Sequence, residues 1–331
     1  MERVDAAKAR VAIEHKNSYL LYLDGGSEML ATLSGKLRHE VKSREQLPAV
    51  GDWVRIRGSV IEEVMPRKSQ FIRKAAGENF EGQVVAANID TVFVVSGLDH
   101  DFNLRRLERY HVAVRSGGAQ CVILLNKADV CGDPDGQARK VRSAAPGADV
   151  VVLSALHDDV PGALRMYLVP DETVALVGSS GAGKSTLINR LLGSGHQTTR
   201  EVRRSDSRGR HTTAHRQLFK MASGAFLIDT PGMRELGLWS NEESIEGTFP
   251  EIDALTENCR FRDCSHSGED GCAVQAAADD GSLDAGRLES FRKMLKEAAH
   301  WERQLDMRAR LEQKARWKKI HKAMRQMNKP A

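Results

Sequence analysis

The segment Gly178-Ser179-Ser180-Gly181-Ala182-Gly183-Lys184-Ser185, followed by Thr186, has the spacing G-x-x-x-x-G-K-[ST] and lies between a β-rich run and the helix-compatible TLINRLL. Glycines at these positions let successive backbone N–H groups turn inward around phosphates, and a helix beginning there adds a favourable dipole. Lys184 is placed to reach the β- and γ-phosphates, and the Ser185 hydroxyl to ligate Mg²⁺. Farther along, Asp229 ends the apolar run 225–228 and begins Asp-Thr-Pro-Gly232. An acid there holds Mg²⁺, usually through water, while the Gly232 N–H is placed for the γ-phosphate. Loss of that phosphate would release the loop, which is the working principle of a switch.

A base-recognising set stands upstream. Asn126-Lys127-Ala128-Asp129 follows the apolar strand CVILL. A carboxylate at Asp129 accepts from N1–H and the exocyclic amine of guanine, an arrangement adenine does not offer, so a site built on it rejects adenine strongly. Asn126 secures the loop, and the stem of Lys127 packs over the ring plane. Ser154-Ala155, after VVVL, adds a backbone N–H for the guanine oxygen. Each pattern is short, and its weight comes from its place at a strand end in the same α/β unit as the phosphate loop.

For hydrolysis, many GTPases of the Ras class orient water with a Gln just after DxxG. Here that residue is Met233, so slow intrinsic hydrolysis is expected. His211, in the stretch GRHTT, is the candidate catalytic group within the chain, against the plainer reading of a loop histidine with no catalytic role. Thr212 or Thr213 is the candidate Mg²⁺ ligand.

Cys259, Cys264, His266 and Cys272 supply three thiolates and an imidazole within fourteen residues. Cys₃His is a tetrahedral structural zinc set, and four ligands leave no open catalytic position. Five cysteines, three of them crowded together, argue against a secreted disulfide framework. Cys121 and Cys131 need no function, and His215 and His300 are less local to the cluster.

The elements that must position these groups fall into three stretches. Short strands are expected around Ser18–Leu23, Met29–Leu37 and Gly51–Arg57, with another run ending near Arg73 and no convincing helix. That pattern favours a small barrel, OB-fold or SH3-like. From about residue 84, apolar strands at Asp90–Val95, Cys121–Leu125, Val150–Leu153, Thr173–Val177 and Ala225–Ile228 alternate with helices, one capped by Asn103. The alternation predicts a mainly parallel, doubly wound sheet, whose ligands bind at the carboxyl ends of the strands. After about residue 240 the strands stop, and Leu288, Phe291, Leu295, Ala298, Trp301 and Leu305 mark an amphipathic helix.

The 331 residues, 41% hydrophobic, contain no stretch near the ~18 apolar residues of a membrane span, so a soluble cytoplasmic protein is expected. The net charge of +4 hides an asymmetry: from Arg308 onward nine Lys or Arg face one acid, Glu312, for +8. The preceding 40 basic and 44 acidic residues leave −4. A basic end on a mildly acidic body points to a polyanionic partner, with a solvated helical face as the plain alternative.

The motifs together resemble the translation-factor-like GTPases, with NKAD and SA ahead of the phosphate loop and GRHTT and DTPG behind it. This circularly permuted order is similar to that of the ribosome small subunit-dependent GTPase A family, and the resemblance extends over VGDW, PRKS, GSSGAGKST, GRHTT, DTPG and C-x4-C-x-H-x5-C. It implies an all-β OB-fold RNA-binding domain at 1–80, a permuted α/β P-loop GTPase domain at 81–240, and an α-helical zinc-binding domain with a basic tail at 241–331. It also implies a monomeric late-stage maturation factor of the small (30S) ribosomal subunit. Such a factor binds GTP or GDP with Mg²⁺, one structural Zn²⁺ and 16S rRNA, is stimulated by the subunit, helps check the decoding region, and helps release another assembly factor. The alternative is a GTP-controlled RNA-binding module in which hydrolysis is incidental; NKAD disfavours a metabolic ATPase or kinase. Permutation also makes DTPG the last strand-end loop before the Cys-rich region, so motion driven by the γ-phosphate is expected to pass covalently into the C-terminal domain.

Overall fold

The computed structural model describes residues 7–74, 82–193, 216–229, 242–304 and 307. Strands β1 (Ala7–Glu14), β2 (Tyr19–Leu23), β3 (Glu28–Leu33), β4 (Trp53–Arg57) and β5 (Val60–Val64) run in the order β1-β2-β3-β5-β4 and close back onto β1. All pairings are antiparallel except β3 with β5. Ala9, Val11, Leu21, Val54 and Ile61 fill the interior. The closed five-strand order, with helix α1 (Gly35–Glu40) between β3 and β4, is that of an OB-fold and decides between the two barrels the sequence left open.

Two expectations for this region are corrected. The strand expected over Met29–Leu37 ends at Leu33, because the Ser34 hydroxyl accepts from the Leu37 N–H at 3.0 Å and starts α1. Strand β1 was not anticipated at all. Residues 9–12 are all buried, Ala9 and Val11 in the barrel core and Ala12 against the sheet, but three of the run's eight residues are alanine and two more are Lys8 and Arg10, so few residues of high strand propensity advertise it.

β6 (Gln70–Lys74) and β7 (Gly82–Ala87) form a separate two-stranded antiparallel sheet. Strands β8 (Thr91–Gly97), β9 (Gln120–Asn126), β10 (Asp149–Val152), β11 (Thr173–Gly178), β12 (Gln217–Lys220) and β13 (Phe226–Asp229) then build a sheet of order β10-β9-β8-β11-β13-β12. Only β12 is antiparallel to its neighbour within it. Helices α2 (Leu104–Ser116), α3 (Pro134–Ala144), α4 (Val160–Leu164) and α5 (Lys184–Leu192) connect the strands. All seven residues of β8 are buried, as expected of a central parallel strand covered on both faces. Asn103 caps α2 by accepting from the Arg106 N–H at 2.9 Å.

Barrel and sheet are continuous, because β12 pairs with β1 at Ile13 and Gln217 and the Tyr22 hydroxyl donates to the Leu218 carbonyl at 3.0 Å. The VGDW and PRKS motifs meet at this junction. Arg67 forks onto buried Asp52 at 2.8 and 2.7 Å, and its other donors bond the Glu45 and Leu47 carbonyls at 2.7 and 2.9 Å. Gly51 has φ +92°, and a Cβ there would sit 2.2 Å from the Ala87 carbonyl oxygen, so no other residue fits.

The C-terminal part comprises α6 (Glu242–Glu246), α7 (Pro250–Thr256), α8 (Ala273–Asp279) and a long helix, α9, at 285–304. Its core of Ile245, Phe249, Ile252, Val274, Leu288, Phe291 and Met294 packs on Val112 and Ala113 of α2. Three cross-domain ion pairs reinforce that seat: Arg287 with Glu108, Arg109 with Glu297, and Arg105 with Asp284. Among the described residues no helix is long and apolar enough to cross a membrane.

Candidate nucleotide site and metal centre

Five of the six strands in the main sheet run parallel, so their carboxyl ends lie on one edge. The loops beginning after Gly97, Asn126, Val152 and Gly178 therefore converge, and Asp229 ends its strand on the same edge. Chain order also reverses there: β8, β9 and β10 step outward in one direction, and β11 returns to the other side of β8. A crevice at such a reversal is where open α/β sheets bind ligands.

Asn126 ties the converging loops together. Its Nδ2 donates to the Ala182 carbonyl of the phosphate loop at 2.9 Å, and its Oδ1 accepts from the Ala155 N–H at 2.8 Å. Three of the sequence motifs thus meet on one buried side chain. Gly183, the residue preceding α5, has φ +99°, and a Cβ there would stand 2.1 Å from Asn126 Nδ2. The glycine is what lets the phosphate loop close onto the base-side loop. Lys184 opens α5, and its ammonium donates to the Gly178 carbonyl at 2.7 Å and to that of Ser179. Ser180 and Ser185 are exposed, Thr186 half-buried, Ala182 buried, and Gly181 exposed at the loop tip.

On the base side, Lys127 has φ +64°, a left-handed conformation uncommon for lysine, and its ammonium pairs with Asp99 at 2.5 Å. The Ala128 N–H donates to the Leu153 carbonyl at 3.2 Å, tying NKAD to the strand end before Ser154. Asp129 is exposed, and the Ser154 hydroxyl beside it holds its carboxyl below the usual carboxylate range. The Ser154 N–H donates to Asp158 at 2.6 Å, and Arg190 of α5 donates to the Ala155 carbonyl at 3.2 Å.

Asp229 stands at the end of β13, beside β11 and the phosphate loop that follows it. His211, Thr212, Thr213, Gly232 and Met233 lie outside the described residues. Sequence reasoning passed over Asp99 and Asp101. Asp101 accepts from the Ser179 hydroxyl at 2.5 Å, but two acids in a loop carry no signature without the fold that aims them.

The four metal-ligand candidates also come together. Cys259 Sγ, Cys264 Sγ, one ring nitrogen of His266 and Cys272 Sγ lie within 4.8 Å of one another. His266 Nδ1 is 3.6 Å from both Cys259 Sγ and Cys272 Sγ. Tetrahedral Zn–S and Zn–N bonds of ~2.3 and ~2.05 Å put sulfur and nitrogen ~3.6 Å apart, so the donor set fits one zinc-sized ion. Glu269 shapes the loop, accepting from the Ser265 hydroxyl and from the Ser265 and Ser267 N–H groups at 2.9 and 2.7 Å, and these bonds, the Ser265 hydroxyl's first, hold its carboxyl down at about 2. A cavity of about 1120 Å³ lies beside this loop, bounded by β6, the end of α2, α6 and α9. None of the nucleotide-loop residues line it, so its size says nothing about the nucleotide site.

Comparison with known proteins agrees with this geometry. The family model described as RsgA GTPase matches residues 64–239. An ABC transporter model matches 162–329, a span that contains the phosphate loop and starts beyond both base-side motifs. A small ribosomal subunit biogenesis GTPase RsgA from Opitutus terrae is 48% identical over 96% of this chain and 90% of its own. A relative of the same description from Oceanobacillus iheyensis is 42% identical over 94% and 91%. The crystal structure of YjeQ from Thermotoga maritima superposes with a TM-score of 0.64 at 25% identity, covering 89% of this chain and 99% of that one. The structure of YloQ, described as a circularly permuted GTPase, shares the fold with a TM-score of 0.63, covering 90% and 97%. With the loops in permuted order on a doubly wound sheet, an OB-type barrel before them and a helical metal-ligand domain behind, this chain belongs to the RsgA GTPase family and is a GTP hydrolase.

Proposed function

We propose that this protein is a late-stage maturation factor of the small ribosomal subunit that binds GTP at the carboxyl edge of the parallel strands and hydrolyses it fastest on the subunit. Asn126 carries the reading, since one side chain bonds both the phosphate loop and the Ser154-Ala155 loop. In this reading Asp129 accepts from the guanine edge, Lys127 covers the ring, the Ser154-Ala155 loop borders the base with its Ala155 N–H bonded to Asn126 Oδ1, and residues 178–186 wrap the phosphates with Lys184 neutralising them. Ser185, Asp229 and one of Thr212 and Thr213 hold Mg²⁺, whose chemistry is to offset charge on the phosphate oxygens. Gly232 binds the γ-phosphate, and His211 aligns water or compensates charge.

Domains at 1–80, 81–240 and 241–331 divide the work. The barrel and the basic stretch from Arg308 contact 16S rRNA, one Zn²⁺ holds Cys259, Cys264, His266 and Cys272, and the factor acts as a cytoplasmic monomer. The names of its relatives support the small-subunit assignment. The roles in checking the decoding region and releasing another assembly factor rest on family resemblance. GTP turnover with and without purified small subunits tests the reading. Stimulation of tenfold or more supports it, and an unchanged rate favours an RNA-binding module whose hydrolysis is incidental.

A further inference from the structure

We infer that the loop from β8 to α2 is a two-armed positioning clamp on the nucleotide site, in which Asp99 sets Lys127 and Asp101 sets Ser179. The inference rests on the assignment of those two partners' loops to GTP. It begins with topology: β8 and β11 flank the reversal of strand order, so the loop after β8 is the natural neighbour of the phosphate loop after β11. Within it, Asp99 accepts from Lys127 Nζ at 2.5 Å and Asp101 accepts from Ser179 Oγ at 2.5 Å.

The two arms are tied to each other, because the Asp101 N–H donates to Asp99 Oδ1 at 3.1 Å. Arg106, in the first turn of α2, grips Asp101 from the other side at 3.2 and 2.9 Å. Both carboxyls are held below their ordinary range, Asp99 first by Lys127 and Asp101 first by Ser179. Lys127 keeps its left-handed backbone under this hold. The same loop opens the helix on which the C-terminal part sits.

Charge alone predicts the opposite of positioning. Two carboxylates near a site for a polyphosphate repel it, so deleting them would tighten binding if repulsion were their main effect. If they hold Lys127 and Ser179 in place, deleting them loosens binding despite the relief of charge. The sign of the effect therefore separates the two accounts.

The test measures GDP and GTP affinity of the full chain by fluorescent-nucleotide titration, with thermal unfolding as the folding control. Asp99→Ala and Asp101→Ala are expected to weaken binding about 3- to 30-fold. Asp101→Asn, which keeps an acceptor for the Ser179 hydroxyl, should recover most of the loss. In a Lys127→Ala background Asp99→Ala should add nothing, and in Ser179→Ala the same holds for Asp101→Ala. Tighter binding in either acid variant, or losses that simply add in the double variants, overturns the clamp. Should Lys127→Ala and Asp129→Asn themselves leave guanine nucleotide binding intact, the nucleotide assignment fails instead, a distinct outcome. If the alanine variants fail to fold, Asp99→Leu and Asp101→Leu, which remove the charge and the acceptor but keep the side-chain bulk, carry the sign test alone.

Discussion

Asn126 and Ala182 are 56 positions apart, yet Asn126 Nδ2 donates to the Ala182 carbonyl at 2.9 Å inside the protein. The other end of that amide serves Ala155. Asn126→Ala strips a partner from two buried backbone groups at once, at ~1–3 kcal/mol for each group left unpaired. We expect guanine nucleotide affinity to fall about 10- to 100-fold with the thermal midpoint lowered by several degrees. Nucleotide titration alongside a melting curve checks both, and unchanged affinity would mean that the loops hold their shape without this link.

Arg287 is the buried post of the C-terminal docking surface. It bonds Glu108 at 2.9 Å and the Ala144 carbonyl at 2.7 Å, and lies 4.4 Å from the ring centre of Phe249. Arg105 still reaches Glu108 at 2.6 Å, so Arg287→Ala leaves that buried charge with one partner and the Ala144 and Thr248 carbonyls without this donor, and should cost ~3 kcal/mol, the lower end for a broken buried pair. Arg287→Met combined with Glu108→Leu should return a large part of that stability, since two apolar side chains need no partner. Chemical denaturation of the single and double variants measures the difference.

His111 makes acid stability predictable in sign. Burial first, then Arg115 and Arg287, push its pKa down to about 4, and Nε2 lies 3.1 Å from the Pro146 carbonyl. The unfolded chain takes up this proton near pH 6.5 and the folded chain near 4, so between those values the unfolded state binds more protons. Stability from His111 is therefore full above pH 6.5 and lost as pH falls toward 4. His111→Gln should flatten the fall in melting temperature across that window, and an unaltered slope would put the acid sensitivity elsewhere.

The Cys₃His cluster should carry one metal ion per chain by elemental analysis. Chelation, or Cys264→Ser, should lower stability of the helical part in particular, because Cys259, Cys264 and Cys272 belong to or pack against its core. Full retention of the thermal midpoint after the metal is stripped would make the ion dispensable to the fold.

What could be read in the sequence was whatever is local. Gly178 to Ser185, Asn126 to Asp129 and the Cys/His set announce themselves because the chemistry needs particular residues at short spacing, and the apolar strands beneath them follow from their runs. Strand β1 did not, since alanines, Lys8 and Arg10 make up most of it and carry little strand propensity. Strand β12 did not, being only four residues long with one of them fully buried. Asp99, Asp101 and Arg287 acquire meaning only through partners brought near by the sheet order and by α2. Their types are commonplace, and long-range pairing is what a single sequence hides.

The most direct measurement concerns the base. A carboxylate at 129 accepts from the N1–H and amine of guanine, whereas an amide there donates to the carbonyl that xanthine carries in place of the amine. Comparing GTP, ATP and xanthosine triphosphate binding in the native protein and in Asp129→Asn should show a native preference for GTP over ATP of at least about 100-fold. In the variant GTP should lose that advantage and xanthosine triphosphate gain. If Asp129→Asn keeps its full preference for GTP, the loops gathered around Asn126 are not a guanine site.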